Sequence, residues 1–286
     1  MSEKIINFIG KKHYALVFSL VLSILSVLLL VTKGLNLSID FKGGTVIDFQ
    51  TPHNDVESTL KTSLSEHYQD FEINRVGDTD NYSLKMGSGA DVDFLTAFIK
   101  NKLDDVEISR VDYIGPKIGA EFAADATKAV VFSLLAMMIY VWVRFDLKFG
   151  LGVMLALLHD VLIALGFFSL SGFQFDLTSI AVVLTVVGYS INDSIVIYDR
   201  IRENLNVKGS IGKSENFGEL INRSINETLS RTIMTSLTTI VVCLALLIFG
   251  GDALRGFSAG LSFGIAFGTY SSIYVSAPVL MFFAKA

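Results

Sequence analysis

The chain has 286 residues, 51% of them hydrophobic and only three of them proline. That composition excludes an ordinary pair of soluble domains and describes a polytopic membrane protein with one polar insert. A net charge of −5 gives no basis for a nucleic-acid partner, and none is expected; the single cysteine, Cys243, excludes a disulfide framework and a cysteine metal site.

Residues 1–13 form a short N-terminus carrying Lys4, Lys11 and Lys12, and the first predicted transmembrane helix covers residues 14–31. Its apolar run exceeds the roughly 7–15 residue core of a signal peptide and no A-x-A pattern follows, so the helix is expected to be retained. Residues 32–117 hold most of the polar sequence and are expected outside the membrane. Leu37 to Gln50 alternates like a strand, interrupted by Lys42-Gly43-Gly44. Asp55 to His67 has helical spacing, with Val56, Leu60 and Leu64 on one stripe. Short strands are predicted at Phe71 to Val76 and Tyr82 to Met86, around the turn Gly77 to Asn81. A second amphipathic helix runs from Asp91 to Leu103, with Phe94, Leu95, Phe98 and Ile99 facing inward, and Val106 to Ile114 alternates again. The order β-α-β-β-α-β predicts a small α+β ferredoxin-like head domain.

Residues 118–286 supply five further spans, at Ala129–Val143, Phe149–Leu170, Leu177–Tyr198, Thr232–Phe249 and Phe257–Phe283. Weakly polar residues from Gly119 to Lys128 extend the second span outward. About 20 apolar residues cross roughly 30 Å of hydrocarbon, so the fold class is a polytopic α-helical membrane protein of six transmembrane helices. The loop 199–231 carries Phe217, Leu220, Ile221, Ile225 and Leu229 at helical spacing. This fits a helix lying on the membrane surface and equally one packed on the ends of the bundle. An even number of spans puts both termini on one side. Lys4, Lys11, Lys12, Arg144, Lys148, the cluster from Arg200 to Arg231 and Lys285 would share that side, against Arg255 alone in the short opposite loops. The positive-inside rule makes it cytoplasmic.

The residues that promise chemistry are ionisable groups inside these spans. Asp193 follows Asn192 in the fourth span, about 8 Å from its end at Tyr198. A carboxylate there costs about 2.5–3.5 kcal/mol even on a lenient insertion scale, so it is expected to have a task or a partner. Arg231 stands where the fifth span begins, with Thr235, Thr238 and Thr239 on its face, and its long side chain is positioned to reach Asp193. Tyr189 and Ser190 lie one turn back from Asp193 on the same helix. Two roles remain open: a proton relay in which Asp193 alternates between charged and neutral forms, and a fixed ion bridge with threonines bonded to their own helix. His159-Asp160, near the middle of the third span, is a second relay candidate and equally a polar pair tying helices together. Gly260, Gly264 and Gly268 in the sixth span form a small-xxx-small packing face. No His/Cys metal spacing, G-x-S-x-G or nucleotide-binding loop occurs. No metal, cofactor or enzymatic activity is therefore expected, and any energy would come from the membrane.

These residues carry a resemblance over nearly the full length. Ile39-Asp40-Phe41-Lys42-Gly43-Gly44-Thr45, the stretch Val187 to Ile197 followed by Asp199 to Asn204, Ser230-Arg231-Thr232 with Thr235-Ser236, and Phe249-Gly250-Gly251 with Leu254 and Gly256-Phe257 resemble the motifs of the SecF family of bacterial export proteins. The resemblance implies an RND-superfamily half with a periplasmic domain after the first helix, in the bacterial inner membrane. It implies SecD, the SecY-E-G channel and the translocating preprotein as partners and leaves other export accessory subunits open. It also implies that proton-motive force promotes preprotein export, with the family's intramembrane Asp and Arg falling on Asp193 and Arg231. Two other readings are a half of a different RND-type exporter and a passive scaffold of the export channel.

Overall fold

The computed structural model describes residues 5–53, 55–65, 68, 71–76, 80–103, 105–145, 147–211 and 216–283. After a 3-10 turn, helix α1 (Lys12–Thr32) leads into a linker and the four-residue helix α2 (Ile39–Lys42). Here the expected strand starts late. Ser38 caps α2 by accepting from the Asp40 N–H, and Gly43, at φ +75°, ends it before strand β1 (Gly44–Gln50) begins.

The head continues with α3 (Val56–Leu64), β2 (Phe71–Arg75), β3 (Asn81–Met86), α4 (Val92–Lys102) and β4 (Glu107–Ile114). The sheet order is β2-β3-β1-β4, with every pairing antiparallel. This is the ferredoxin-like arrangement that the element order predicts. Alternation sorts the two faces of the sheet. Ile47, Phe49, Leu84 and Met86 meet Leu60, Leu64, Leu95 and Ile99 in a dry core. Phe94 departs from expectation: it is exposed, because its position at the start of α4 carries it past the edge of that core. The predicted turn at 77–79 lies outside the described residues.

Five further helices follow: α5 (Pro116–Arg144), α6 (Leu147–Ser171), α7 (Leu177–Ile211), α8 (Phe217–Phe249) and α9 (Asp252–Ser271), the last continuing through a π turn at 272–276 into α10 (Ala277–Phe283). The π turn lies just before Pro278, whose missing N–H cannot continue the regular ladder. Among the described residues, six helical stretches are long and apolar enough to cross a membrane. In three of them, on α6, α7 and α9–α10, half or more of the most apolar window is buried, against 17% or less in the others. Those three form the interior of the bundle.

The segment from Phe217 to Leu229 is no separate surface helix. It is the first part of α8, and Leu220, Ile221 and Ile225 are buried against α7 and α10. No glycine or proline interrupts 219–249, so nothing breaks the helix where it meets the membrane span. The charged run after Tyr198 clamps this end: Arg200 pairs with Glu227 at 2.6 Å and with Glu203 at 2.8 Å, and Arg144 pairs with Asp199 at 2.9 Å. Asn222 and Asn226 of α8 also bind the N-terminal segment, accepting from the Phe8 and Ile6 N–H groups.

Candidate functional site

The bundle interior holds two buried carboxylates on neighbouring helices. Asp160 of α6 is 1% exposed and Asp193 of α7 is 3% exposed. Each is reached from α9, which is drawn in by its glycines. Gly260 faces Val182, Gly264 faces Val186 and Gly268 faces Ser190, a register of four along both helices. A Cβ at Gly264 would collide with the Val186 side chain, and one at Gly260 would stand 2.7 Å from the Phe168 ring. The close approach is what lets short hydroxyl side chains of α9 touch acids on α6 and α7.

Asp160 is fully engaged. His159 Nδ1 lies 2.8 Å from one carboxylate oxygen; Ser190 Oγ of α7 and Ser271 Oγ of α9 lie 2.5 Å and 2.6 Å from the other. Three helices therefore meet on one side chain. His159 Nε2 is buried and has no protein partner. The adjacent His and Asp do share a site, although successive helix positions point about 100° apart.

Asp193 is engaged lightly. Thr269 Oγ1 of α9 lies 3.4 Å from its Oδ2, a long hydrogen bond, and Thr269 in turn shares a 2.6 Å bond with Ser236 of α8. No ion pair joins Asp193 to Arg231. Arg231 is exposed on α8. Asn192 is exposed as well, one position round α7 from the buried acid. The threonines around Arg231 bond their own helix: Thr235 donates to the Arg231 carbonyl, Thr238 to Met234 and Thr239 to Thr235. Thr239 also meets the Tyr189 hydroxyl at 2.7 Å, tying α7 to α8.

The structure thus groups Asp160, Asp193 and Gly268 and leaves Asn192 and Arg231 on the surface of this chain. Thr269 and Ser271 complete the interior without having been singled out from sequence; their signal was the polar run Thr269 to Ser272 within an apolar span. Ser236, part of the fifth-span motif, joins them through Thr269. Deeper towards α7's charged end, Tyr198 donates to the Ser276 carbonyl at 3.0 Å, in the π turn. Among the described residues no cluster of His, Cys, Asp and Glu could hold a metal ion. Each acid thus has its own hydroxyl partners, Ser190 and Ser271 at Asp160 and Thr269 at Asp193.

Residues 95–286 match the family described as Protein export membrane protein SecD/SecF, C-terminal, and residues 28–51 match the SecD/SecF GG motif. The protein named Protein translocase subunit SecF from Rickettsia bellii is 42% identical over 98% of this chain and 93% of its own length. Its counterpart from Rickettsia felis is 42% identical over 98% and 92%. The crystal structure of SecDF from Thermus thermophilus, a translocon-associated membrane protein, superimposes with a TM-score of 0.87 at 38% identity, covering 99% of this chain and 39% of that one. SecDF in its super-membrane-facing form gives 0.74 at 38% identity, covering 100% and 40%. This chain therefore spans about two fifths of each SecDF chain that it matches.

Proposed function

This chain belongs to the SecF family of protein translocase subunits, a family of multi-pass membrane proteins, and we propose that it is the SecF-type half of a proton-driven accessory to protein export. In this reading it sits in the bacterial inner membrane with both termini and the 199–231 segment cytoplasmic and the 32–117 head periplasmic. It works with a SecD half, the SecY-E-G channel and the emerging preprotein. The observation that carries the proposal is a membrane bundle, in a chain of this family, whose interior holds two buried carboxylates that, among the described residues, are bonded by hydroxyls and one histidine.

The chemistry asked of these groups is modest. One proton crossing 100 mV supplies about 2.3 kcal/mol, enough to bias two head orientations by roughly 50-fold and too little to unfold a preprotein. Asp193 is the proton-accepting group, because its single long hydrogen bond leaves both of its forms accessible. Asp160 stands behind it in the same interior and joins the relay through Ser190, which lies on α7 one turn from Asp193. Arg231 and Asn192 face outward from this chain, Asn192 within the fourth span and Arg231 at the cytoplasmic start of the fifth. A SecD half seated on that face covers both and completes the proton path.

Preprotein export into inverted vesicles, with and without a proton gradient, tests the reading. Vesicles containing this chain and its SecD partner should show gradient-dependent stimulation that is absent without them. Stimulation without a gradient response would leave only a scaffold role, and co-purification with an efflux partner in place of SecD would turn the reading to another RND-type exporter.

A further inference from the structure

The head is attached covalently through α1 and α5, and it is tied as well to a turn with no chain connection to it. The α6–α7 turn, residues 172–176, is bonded to the linker that follows α1. Phe175 exchanges backbone hydrogen bonds with both neighbours of Leu37: its N–H donates to the Asn36 carbonyl at 2.7 Å and its carbonyl accepts from Ser38 N–H at 3.0 Å. Asn36 Nδ2 donates to the Gly172 carbonyl at 3.0 Å. Asp40 Oδ2 accepts from the Leu177 N–H at 3.1 Å, so a residue of the linker caps the first turn of α7. Beneath these bonds the Phe175 ring packs at a tilt on Phe41 and edge to face on Phe168.

The same turn reaches the sheet. Gln174 Oε1 accepts from Lys85 Nζ of β3 at 2.7 Å. This contact crosses a polar cleft of about 850 Å³ between the helix-free face of the sheet and the outer ends of α6, α7 and α9, lined by Asp48, Arg110, Asp112 and Asp176. The chain enters and leaves the head side by side, since Gly44 of β1 is paired with Ile114 of β4. The covalent connections to the sheet therefore lie at one edge, and the Lys85–Gln174 bond is a separate tie to the turn.

We propose that the α6–α7 turn is the transmission element between the membrane interior and the head, with Asp40 and Gln174 as its positioning residues. This rests on the proton-driven reading above. Both buried acids lie on the two helices that the turn joins. A tilt or shift of α6 against α7 carries residues 172–177 with it; the linker bonds pass that shift to the base of β1, and the Gln174–Lys85 bond passes it to β3. Asp40 fixes the linker to α7, and Gln174 reports the turn's position to the sheet.

The test uses the chain with its SecD partner in vesicles, in a Cys243→Ala background. Spin labels at Ser88→Cys in the head and Phe249→Cys at the end of α8 report the head-to-bundle distance with and without a proton gradient. The parent distance distribution should shift with the gradient. Asp40→Ala and Gln174→Ala should each cut that shift roughly fivefold or more, the lower range for coupling between distant sites, and Asp40→Asn, which keeps an acceptor oxygen, should restore it. Gln174→Ala removes one part-exposed contact and keeps the test decisive if Asp40→Ala does not assemble. A parent that responds together with variants that respond equally overturns the transmission role alone. A parent that does not respond overturns the proton-driven reading and the transmission role with it.

Discussion

Thr269 is the residue that touches Asp193: its hydroxyl lies 3.4 Å from the carboxylate, while Arg231 stands off on the outer side of α8. An acid held by one long bond can change its proton at low structural cost, whereas an acid locked in a guanidinium fork cannot. This difference decides how the variants below should behave.

Asp193→Asn should abolish gradient-dependent export while leaving the complex assembled, because the neutral form is then permanent. Asp193→Glu should be partly active. Thr269→Val removes the one protein donor described at Asp193 and should lower the gradient response about fivefold, the effect of a bond worth about 1 kcal/mol. Arg231→Lys should be impaired, since an ammonium does not reproduce a planar fork towards a partner's surface. Export in inverted vesicles at equal membrane abundance measures all four. A full gradient response in the Asn variant would move the proton path to Asp160 or to the partner.

Asp160 should behave as a structural keystone. Replacing it by Ala strands Ser190 and His159, at roughly 1–3 kcal/mol for each buried polar group left without a partner, while Ser271 falls back on the Gly268 carbonyl. Asp160→Asn keeps a carbonyl oxygen for at least one of them. Thermal unfolding in mild detergent should therefore place the Ala variant well below the Asn variant. Equal melting of the two would mean that the three contacts contribute nothing net.

The glycine register predicts a graded series. An added methyl at Gly264 collides with Val186, while at Gly268 its nearest neighbour, Ser190 Cβ, is 3.4 Å away. Gly264→Ala should destabilise the bundle by about 1–3 kcal/mol, as overpacking does, and Gly268→Ala should cost less. The same detergent melts rank them, and a reversed order would contradict the packing of α9 on α7.

Topology can be checked directly. In a Cys243→Ala background, Ser88→Cys in the head and Glu219→Cys at the start of α8 should react with a membrane-impermeant thiol reagent from opposite sides. Reaction of both from outside intact cells would refute the six-span arrangement with cytoplasmic ends.

Much of this protein was legible along the chain. Runs of about 20 apolar residues locate the spans, because hydrocarbon thickness sets their length. Alternation and i, i+3, i+4 spacing locate the head's strands and helices, because each has one dry face. Ionised residues within apolar runs single out Asp160 and Asp193 by their cost alone. These are local properties, set by a residue and its neighbours within a turn or two.

Other features depend on how helices rotate and cross. Ser190 could be assigned to Asp193, on its own helix, until α6 and α9 were seen to bring Asp160 and Ser271 against it. Arg231 sits at a matching depth, yet its azimuth on α8 points it away from Asp193. The linker's hold on the α6–α7 turn joins residues about 137 positions apart, as Asp40 and Leu177 are, and periodicity carries no information on such a pairing. Depth and polarity are written in sequence because the membrane imposes them on each segment separately; partnership is decided by packing, because a contact between helices is a property of both at once.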